Sequence, residues 1–215
     1  MCVEIENGVS VMTEYHKIET LYERDPKTFK VIPSVLRNPV YRLIREWEFT
    51  EKIDGTNIRC IWQDGKLTFG GKTDSAQIHS DLVRWLYDNV SAEKLAEIFP
   101  DTTAVIYGEG YGAGIQKGGN YSPTKKFIVF DVLVAGKWWL NWANTCDVAA
   151  KLGLEVVPFI GTMTIEQATA MVRQGFQSRM AGCNARAEGL VGRTAEPLFD
   201  KKGDRLIVKL KTRDF

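Results

Sequence analysis

The sequence predicts an α+β fold of largely antiparallel sheets with flanking helices. Two observations carry that prediction: strand-like segments far outnumber helical ones, and they arrive in pairs joined by tight turns, unlike the alternation of a doubly wound parallel sheet. Residues 47–53 and 57–62 alternate aromatic and β-branched residues with polar ones and read as strands. Gln63-Asp64-Gly65-Lys66 turns the chain into a third strand at 67–71. Ser80 opens a helix in which Leu82, Leu86, Val90, Leu95 and Ile98 fall along one face, and Pro100 closes it. Ala104-Val105-Ile106-Tyr107 is a short buried strand that enters the one Gly-rich stretch, residues 108–119. Strands at 127–134 and 136–141 form a second hairpin, after which Asn144 caps a short helix that stops at Gly153. A further helix runs from Thr164, where Gln167 completes a capping box, to Gly175. Segments 189–193 and 206–211 return to strand composition.

Composition bounds the function. Of the 215 residues 44% are hydrophobic, 26% charged and 11% aromatic, which excludes disorder, collagen and a minimal disulfide scaffold. No linker, repeat or low-complexity segment divides the chain, so one domain over residues 1–215 is expected. Twenty-eight basic residues against 27 acidic give a formal charge of +1, so any nucleic-acid contact must come from a local patch. Cys2, Cys60, Cys146 and Cys183 are far apart with no CxxC pair, and His16 and His79 are the only histidines. Ordinary zinc spacing is therefore missing, and a reducing cytoplasm is the simpler setting. Acids interrupt the N-terminus and no apolar run reaches about 18 residues, so neither secretion nor a membrane span is expected.

Two phosphate-binding signatures fail on inspection. Gly71-Lys72-Thr73 matches the end of a P-loop, but that motif requires Gly at position 66, which is Lys. Gly108, Gly110 and Ala113 approximate a dinucleotide fingerprint without a following helix, and Pro123 comes soon after, which points to a flexible, ligand-facing loop. The histidines read as packing or surface residues.

A different constellation carries chemistry. Glu51-Lys52-Ile53-Asp54-Gly55-Thr56-Asn57 places a lysine at the end of an apolar strand, and Asp54 shares its face if the strand persists. Downstream, in order, come Glu109 between glycines, Phe130 in the apolar strand 127–132, Glu188 entering a strand, and Lys209 and Lys211 alternating with apolar residues. Each alone has a bland reading as a turn, a core residue or an edge strand. Those readings leave the ordered set unexplained.

The set resembles the covalent nucleotidyltransferases, the superfamily of ATP-dependent RNA and DNA ligases and mRNA capping enzymes, and is most similar to RNA ligases of the RNA ligase 2 type. The resemblance runs from about residue 47 to 211. It implies a nucleotidyltransferase (adenylation) fold, Lys52 as the nucleophile in KxDG, and Asp54, Lys209 and Lys211 as its catalytic companions. It further implies nucleotide binding by Glu51, Ile53, Lys72, Glu109, Phe130 and Glu188. ATP and a divalent cation, Mg or Mn, are the implied cofactors, with Glu188 holding the metal through water. RNA ends are the implied partner, and Asn57 the acceptor-binding residue. Asn57 stands where DNA ligases and capping enzymes usually have Arg, and Lys72 stands for a family arginine, losing a planar bidentate fork. The chain ends four residues after Lys211, so no separate C-terminal domain is expected. The alternatives are a GTP-dependent capping guanylyltransferase, a DNA ligase, and a non-sealing nucleotide- or RNA-binding module.

The chemistry accounts for the residue types. A phosphoramidate forms from a neutral amine, whereas a free lysine titrates near about 10.4, so neighbouring positive charge or burial has to lower that value. Lys209, Lys211 and a divalent cation are the available sources, and they also neutralise charge on the α-phosphate. By the resemblance, Glu109 accepts hydrogen bonds from the ribose hydroxyls. Phe130 offers an apolar face for adenine. Residues 200–215 hold six basic and three acidic residues, a balance suited to a phosphate backbone, while residues 1–25 hold two basic and six acidic.

Overall fold

The structure, a computed structural model, describes residues 14–180, 182 and 184–215; Cys2 and Cys183 lie outside them. In chain order the strands and helices are β1 (Glu19–Thr20), β2 (Tyr22–Arg24), β3 (Val31–Leu36), β4 (Trp47–Lys52), β5 (Thr56–Gln63), β6 (Lys66–Gly70), α1 (Ser80–Asn89), α2 (Ala92–Ile98), β7 (Ala104–Tyr111), β8 (Lys126–Val134), β9 (Trp138–Trp139), α3 (Trp142–Leu152), β10 (Phe159–Met163), α4 (Ile165–Gln174), β11 (Gly189–Arg193) and β12 (Ile207–Lys211). The α+β class holds: every pairing is antiparallel except β1 with β12. No helix among the described residues is long and apolar enough to cross a membrane.

The described residues divide into two compact units, the first comprising residues 14–16 and 54–156 and the second residues 17–53 and those described from 157 to 215. The first unit holds a five-stranded sheet in the order β6-β5-β7-β8-β9. Ile58, Cys60, Ile106 and Phe127 on one face pack against Leu82, Leu86 and Leu95 of α1 and α2 and Val148, Ala149 and Leu152 of α3. Asp64 and Gly65 both take positive φ, 52° and 70°, which gives the β5–β6 hairpin the twist that such two-residue turns need.

The second unit holds a five-stranded sheet in the order β1-β12-β11-β4-β10 beside the two-stranded β2–β3 hairpin. Its core face, Trp47, Phe49, Leu190, Val208 and Leu210, is covered by Ile165, Ala168 and Val172 of α4. Helix α4 begins and ends as its caps require: Thr164 and Gln167 form a capping box, and Gly175 stands at its end with φ of 71°.

Four local expectations need correction. The helix over 80–98 is two helices, because the Ser91 hydroxyl accepts from the Lys94 amide at 3.1 Å and starts a new N-terminus within a continuous apolar face. Its first cap is the His79 ring, whose Nδ1 accepts from the Asp81 amide. Asn141, not Asn144, caps α3; its side-chain oxygen accepts from the Asn144 amide at 2.9 Å. Residues 108–111 are strand rather than flexible loop, since β7 runs on to Tyr111. Strand β4 stops at Lys52, so strand alternation does not extend to Asp54. The short strands β1, β2, β3 and β10 carry weaker periodicity and emerge only in the folded chain.

Candidate active site

In the second unit, register brings three separated segments together. Lys52 on β4 and Lys211 on β12 both pair with Gly189 on the intervening β11, so the two lysines lie in one row across three strands. A side chain at Gly189 would sit 1.9 Å from the Leu210 carbonyl oxygen, and its φ is 157°, so only glycine fits this crossing. The preceding residue, Glu188, is thereby aimed between the lysines. Its Oε2 accepts from Lys52 Nζ at 2.7 Å and its Oε1 from Lys211 Nζ at 2.8 Å.

Lys209, two residues before Lys211, projects to the same side of the sheet. Among the described residues its ammonium makes no ion pair or side-chain hydrogen bond. Burial first, then the charges of Lys211 and Lys52, push its pKa down to about 8. Burial works to raise the Glu188 carboxyl, but the Lys52 charge and the hydrogen bonds from Lys211 and Lys52 outweigh it and hold the group below its ordinary value. Both Glu188 oxygens are engaged by lysines, and no cluster of three or more His, Cys, Asp or Glu side chains placed to hold a metal occurs among the described residues.

Glu51 points the other way, as alternation along β4 dictates. It is buried, and its carboxylate accepts from the Ser178 hydroxyl at 2.5 Å and the Arg179 amide at 2.7 Å. Burial raises its pKa against those bonds. Ile53 is buried as well. Glu51 therefore fastens the segment after α4 to the strand that carries Lys52. Ser178 and Arg179 had no signal in the sequence, because nothing local marks a partner more than a hundred residues away.

In the first unit, Asn57 and Glu109 are direct partners across β5 and β7, on the sheet face opposite the helices. The glycines flanking Glu109 have a packing cause: a Cβ at Gly108 would lie 2.4 Å from the Phe127 ring and one at Gly110 2.4 Å from Leu82. The buried Oδ1 of Asn57 has no hydrogen-bond partner among the described residues. A bulge between Tyr107 and Gly108 inserts Phe130 as an extra residue on β8. Phe130 packs with Tyr107, Tyr15 and Trp139, and its ring meets Tyr15 edge-on at 5.1 Å. Beside it, the fully buried Asp131 accepts from the Tyr15 hydroxyl at 2.8 Å.

Asp54 lies in the turn before β5, where its amide donates to the Tyr121 hydroxyl at 3.4 Å. Lys72 is exposed just past β6. Its segment is held by Arg59, whose buried guanidinium donates to the Gly71 carbonyl at 2.7 Å and to Asp74 at 2.8 Å. Of the basic residues in 200–215, Lys209 and Lys211 belong to the lysine row and Arg205 is buried, which leaves Lys201, Lys202 and Arg213 for other contacts.

The sequence profile of the RNA ligase family matches residues 45–211, and the chain belongs to that family. A search of curated protein sequences finds no significant match. Among solved structures, a Naegleria gruberi RNA ligase variant with ATP and Mn superposes with a TM-score of 0.68 at 17% identity, over 99% of this chain and 63% of that one. The same ligase with pyrophosphate gives 0.66 at 19% identity, over 98% and 61%, and a variant with AMP and Mn gives 0.66 at 16%, over 95% and 59%. At these identities the likeness establishes the fold, and the chain spans about three fifths of the length of those ligases.

Proposed function

We propose that this chain is an ATP-dependent RNA ligase that works through a lysyl-AMP intermediate on Lys52. The observation that carries the reading is the Lys52–Glu188–Lys211 bridge with Lys209 on the same side, a row of cations around one lysine at a strand end. An ammonium held by a carboxylate is not a nucleophile. The Lys52–Glu188 pair therefore opens on ATP binding, with Lys211 retaining Glu188. Lys52 Nζ, having given a proton to solvent, attacks the α-phosphorus; the N–P bond forms, the bond to the bridging oxygen breaks, pyrophosphate leaves, and the nitrogen releases a second proton to solvent. Lys209 and Lys211 stabilise the charge that develops on the α-phosphate.

A terminal 5′-phosphate of RNA then displaces Lys52, giving a 5′-adenylylated strand. An RNA 3′-hydroxyl attacks that strand's phosphate and releases AMP. A divalent cation, Mg or Mn, would supply further positive charge to the phosphates when bound. Glu188 would hold it through water, by the oxygen that is freed when the Lys52 pair opens. In the first unit, Phe130 offers its ring to the adenine, Glu109 accepts from the ribose, Lys72 faces phosphate, and Asn57 serves the acceptor strand. Asp54, Glu51 and Ile53 shape the segment around the nucleophile.

The test is mass spectrometry after incubation with ATP and a divalent cation. An acid-labile AMP adduct on the peptide containing Lys52 is expected. An adduct on another lysine, or none across several metals and pH values, overturns the mechanism, and stronger labelling by GTP than ATP moves the reading to a capping guanylyltransferase.

A further inference from the structure

The β2–β3 hairpin of the second unit, with the 3-10 turn at Pro39–Leu43 that follows it, concentrates charge that the site above does not use. Residues 24–45 hold six basic side chains and one acidic one. Two of the six are committed. Arg24 donates to the Phe29 carbonyl and pairs with Asp214, both at 2.7 Å, and Arg37 pairs with Glu19 and Glu23. The other four, Lys27, Lys30, Arg42 and Arg45, are exposed, and among the described residues they make no ion pair or side-chain hydrogen bond.

Two large apolar side chains stand among these cations, Phe29 at 71% exposure and Leu43 at 81%. The hairpin tip that carries Phe29 is tied down. The Asp25 carboxylate accepts from the Thr28 amide at 2.7 Å, the Lys27 amide at 2.9 Å and the Thr28 hydroxyl at 3.1 Å. The Asp25 amide and carbonyl close the loop on Lys30 and Phe29. Phe29 is left with φ of 58°, a left-handed conformation that is sterically unfavourable for a bulky residue and is not offset here by burial of the ring.

We propose that this hairpin is an RNA-docking surface, in which the four exposed cations take backbone phosphates and Phe29 stacks on a base. The proposal rests on the RNA ligase reading. The six residues of β3 carry the tip roughly 20 Å from the turn, at about 3.3 Å each. That distance spans several backbone phosphates of one strand. Lys27 and Lys30 at one end and Arg42 and Arg45 at the other thus reach different phosphates of a single strand. Cations with an exposed aromatic ring form a platform that holds a strand without reading its sequence.

Fluorescence anisotropy with a labelled, 5′-phosphorylated oligoribonucleotide, titrated with the full chain over a salt series, tests this. Replacing Lys27, Lys30, Arg42 and Arg45 together with Ala is expected to weaken binding at least tenfold at low salt. The slope of log affinity against log salt should shrink by about 3, at ~0.7 per lost phosphate contact. Phe29→Ala should weaken binding several-fold with the slope unchanged. Lys27→Glu alone, at an exposed position, should act in the same direction as the quadruple change, so the result does not depend on one variant folding. Enzyme-AMP formation should stay at the wild-type rate in all of them. Wild-type RNA affinity and slope in the quadruple variant overturn the proposal, as does hairpin-dependent binding to phosphatidylserine vesicles with RNA binding unchanged. A wild-type chain that binds RNA through the hairpin yet forms no enzyme-AMP instead overturns the ligase reading.

Discussion

Both five-stranded sheets bury one face against helices, and one leaves the lysine row and the other the Phe130 cluster on the opposite face, yet the two opposite faces differ in kind. In the second unit that face is ionic: Lys52, Lys209 and Lys211 stand around Glu188, and burial with like-charge neighbours depresses Lys209. In the first unit it is aromatic: Tyr15, Tyr107, Phe130 and Trp139 touch one another, and the buried acid among them, Asp131, accepts from Tyr15. An ionic row suits phosphate, whose charge it can neutralise, and an aromatic cluster suits the face of a base. On the proposed reading, attack belongs to one face and recognition to the other, and substitutions on the two faces should then fail in different ways.

The largest effect belongs to the ionic face. Lys209→Ala or Lys211→Ala should slow single-turnover formation of enzyme-AMP by about 10²–10³-fold, the cost of removing one preorganised charge from a developing anion. Wild-type rates in both variants would make these lysines an ordinary strand face and erase the contrast. On the aromatic face the failure should be one of binding. Phe130→Ala should raise the ATP concentration for half-maximal labelling by roughly 5- to 150-fold, as expected for loss of about 1–3 kcal/mol of stacking, with the saturating rate retained. A drop in the saturating rate without a change in half-saturation would reverse the assignment.

A pH profile sharpens the comparison further. Lys209 loses its charge in the folded protein as pH rises through about 8, whereas an ordinary lysine holds its proton to 10.5. Capture of ATP by the free enzyme should therefore decline above pH ~8, and Lys209→Arg, which stays charged, should move that limb upward. Stability runs the opposite way. Between about 8 and 10.5 the unfolded chain binds more protons at this site, so the Lys209 contribution to stability increases with pH in that window. An alkaline limb that Lys209→Arg leaves in place would assign the titration to another group.

The smallest effect is Tyr15→Phe, which removes the hydroxyl bonded to Asp131 and keeps the ring against Phe130. It should cost about 1–3 kcal/mol, since it removes a hydrogen bond to a buried carboxylate. The readout is the midpoint of thermal unfolding, with ATP half-saturation changed less than in Phe130→Ala. Equal loss of ATP binding in the two variants would mean that the Tyr15 hydroxyl, rather than the ring cluster, sets the recognition face.

Much of this was readable along the chain, and the exceptions share a cause. The Gln63–Lys66 turn, the capping box at Thr164 and Gln167, and the stop at Gly175 depend on residues within four positions of one another, so local chemistry determined them. Strand alternation likewise determined that Lys209 and Lys211 share a side and that Glu51 and Lys52 oppose each other. Tertiary structure alone decided that Glu188 bridges Lys52 and Lys211, because that contact spans 136 residues and depends on the register of three strands and a glycine crossing. The same holds for Tyr15 on Asp131 and Ser178 on Glu51. Periodicity and caps act over a turn or a strand, whereas which side chain meets a buried charge is settled only when distant backbones pair and the core closes over them.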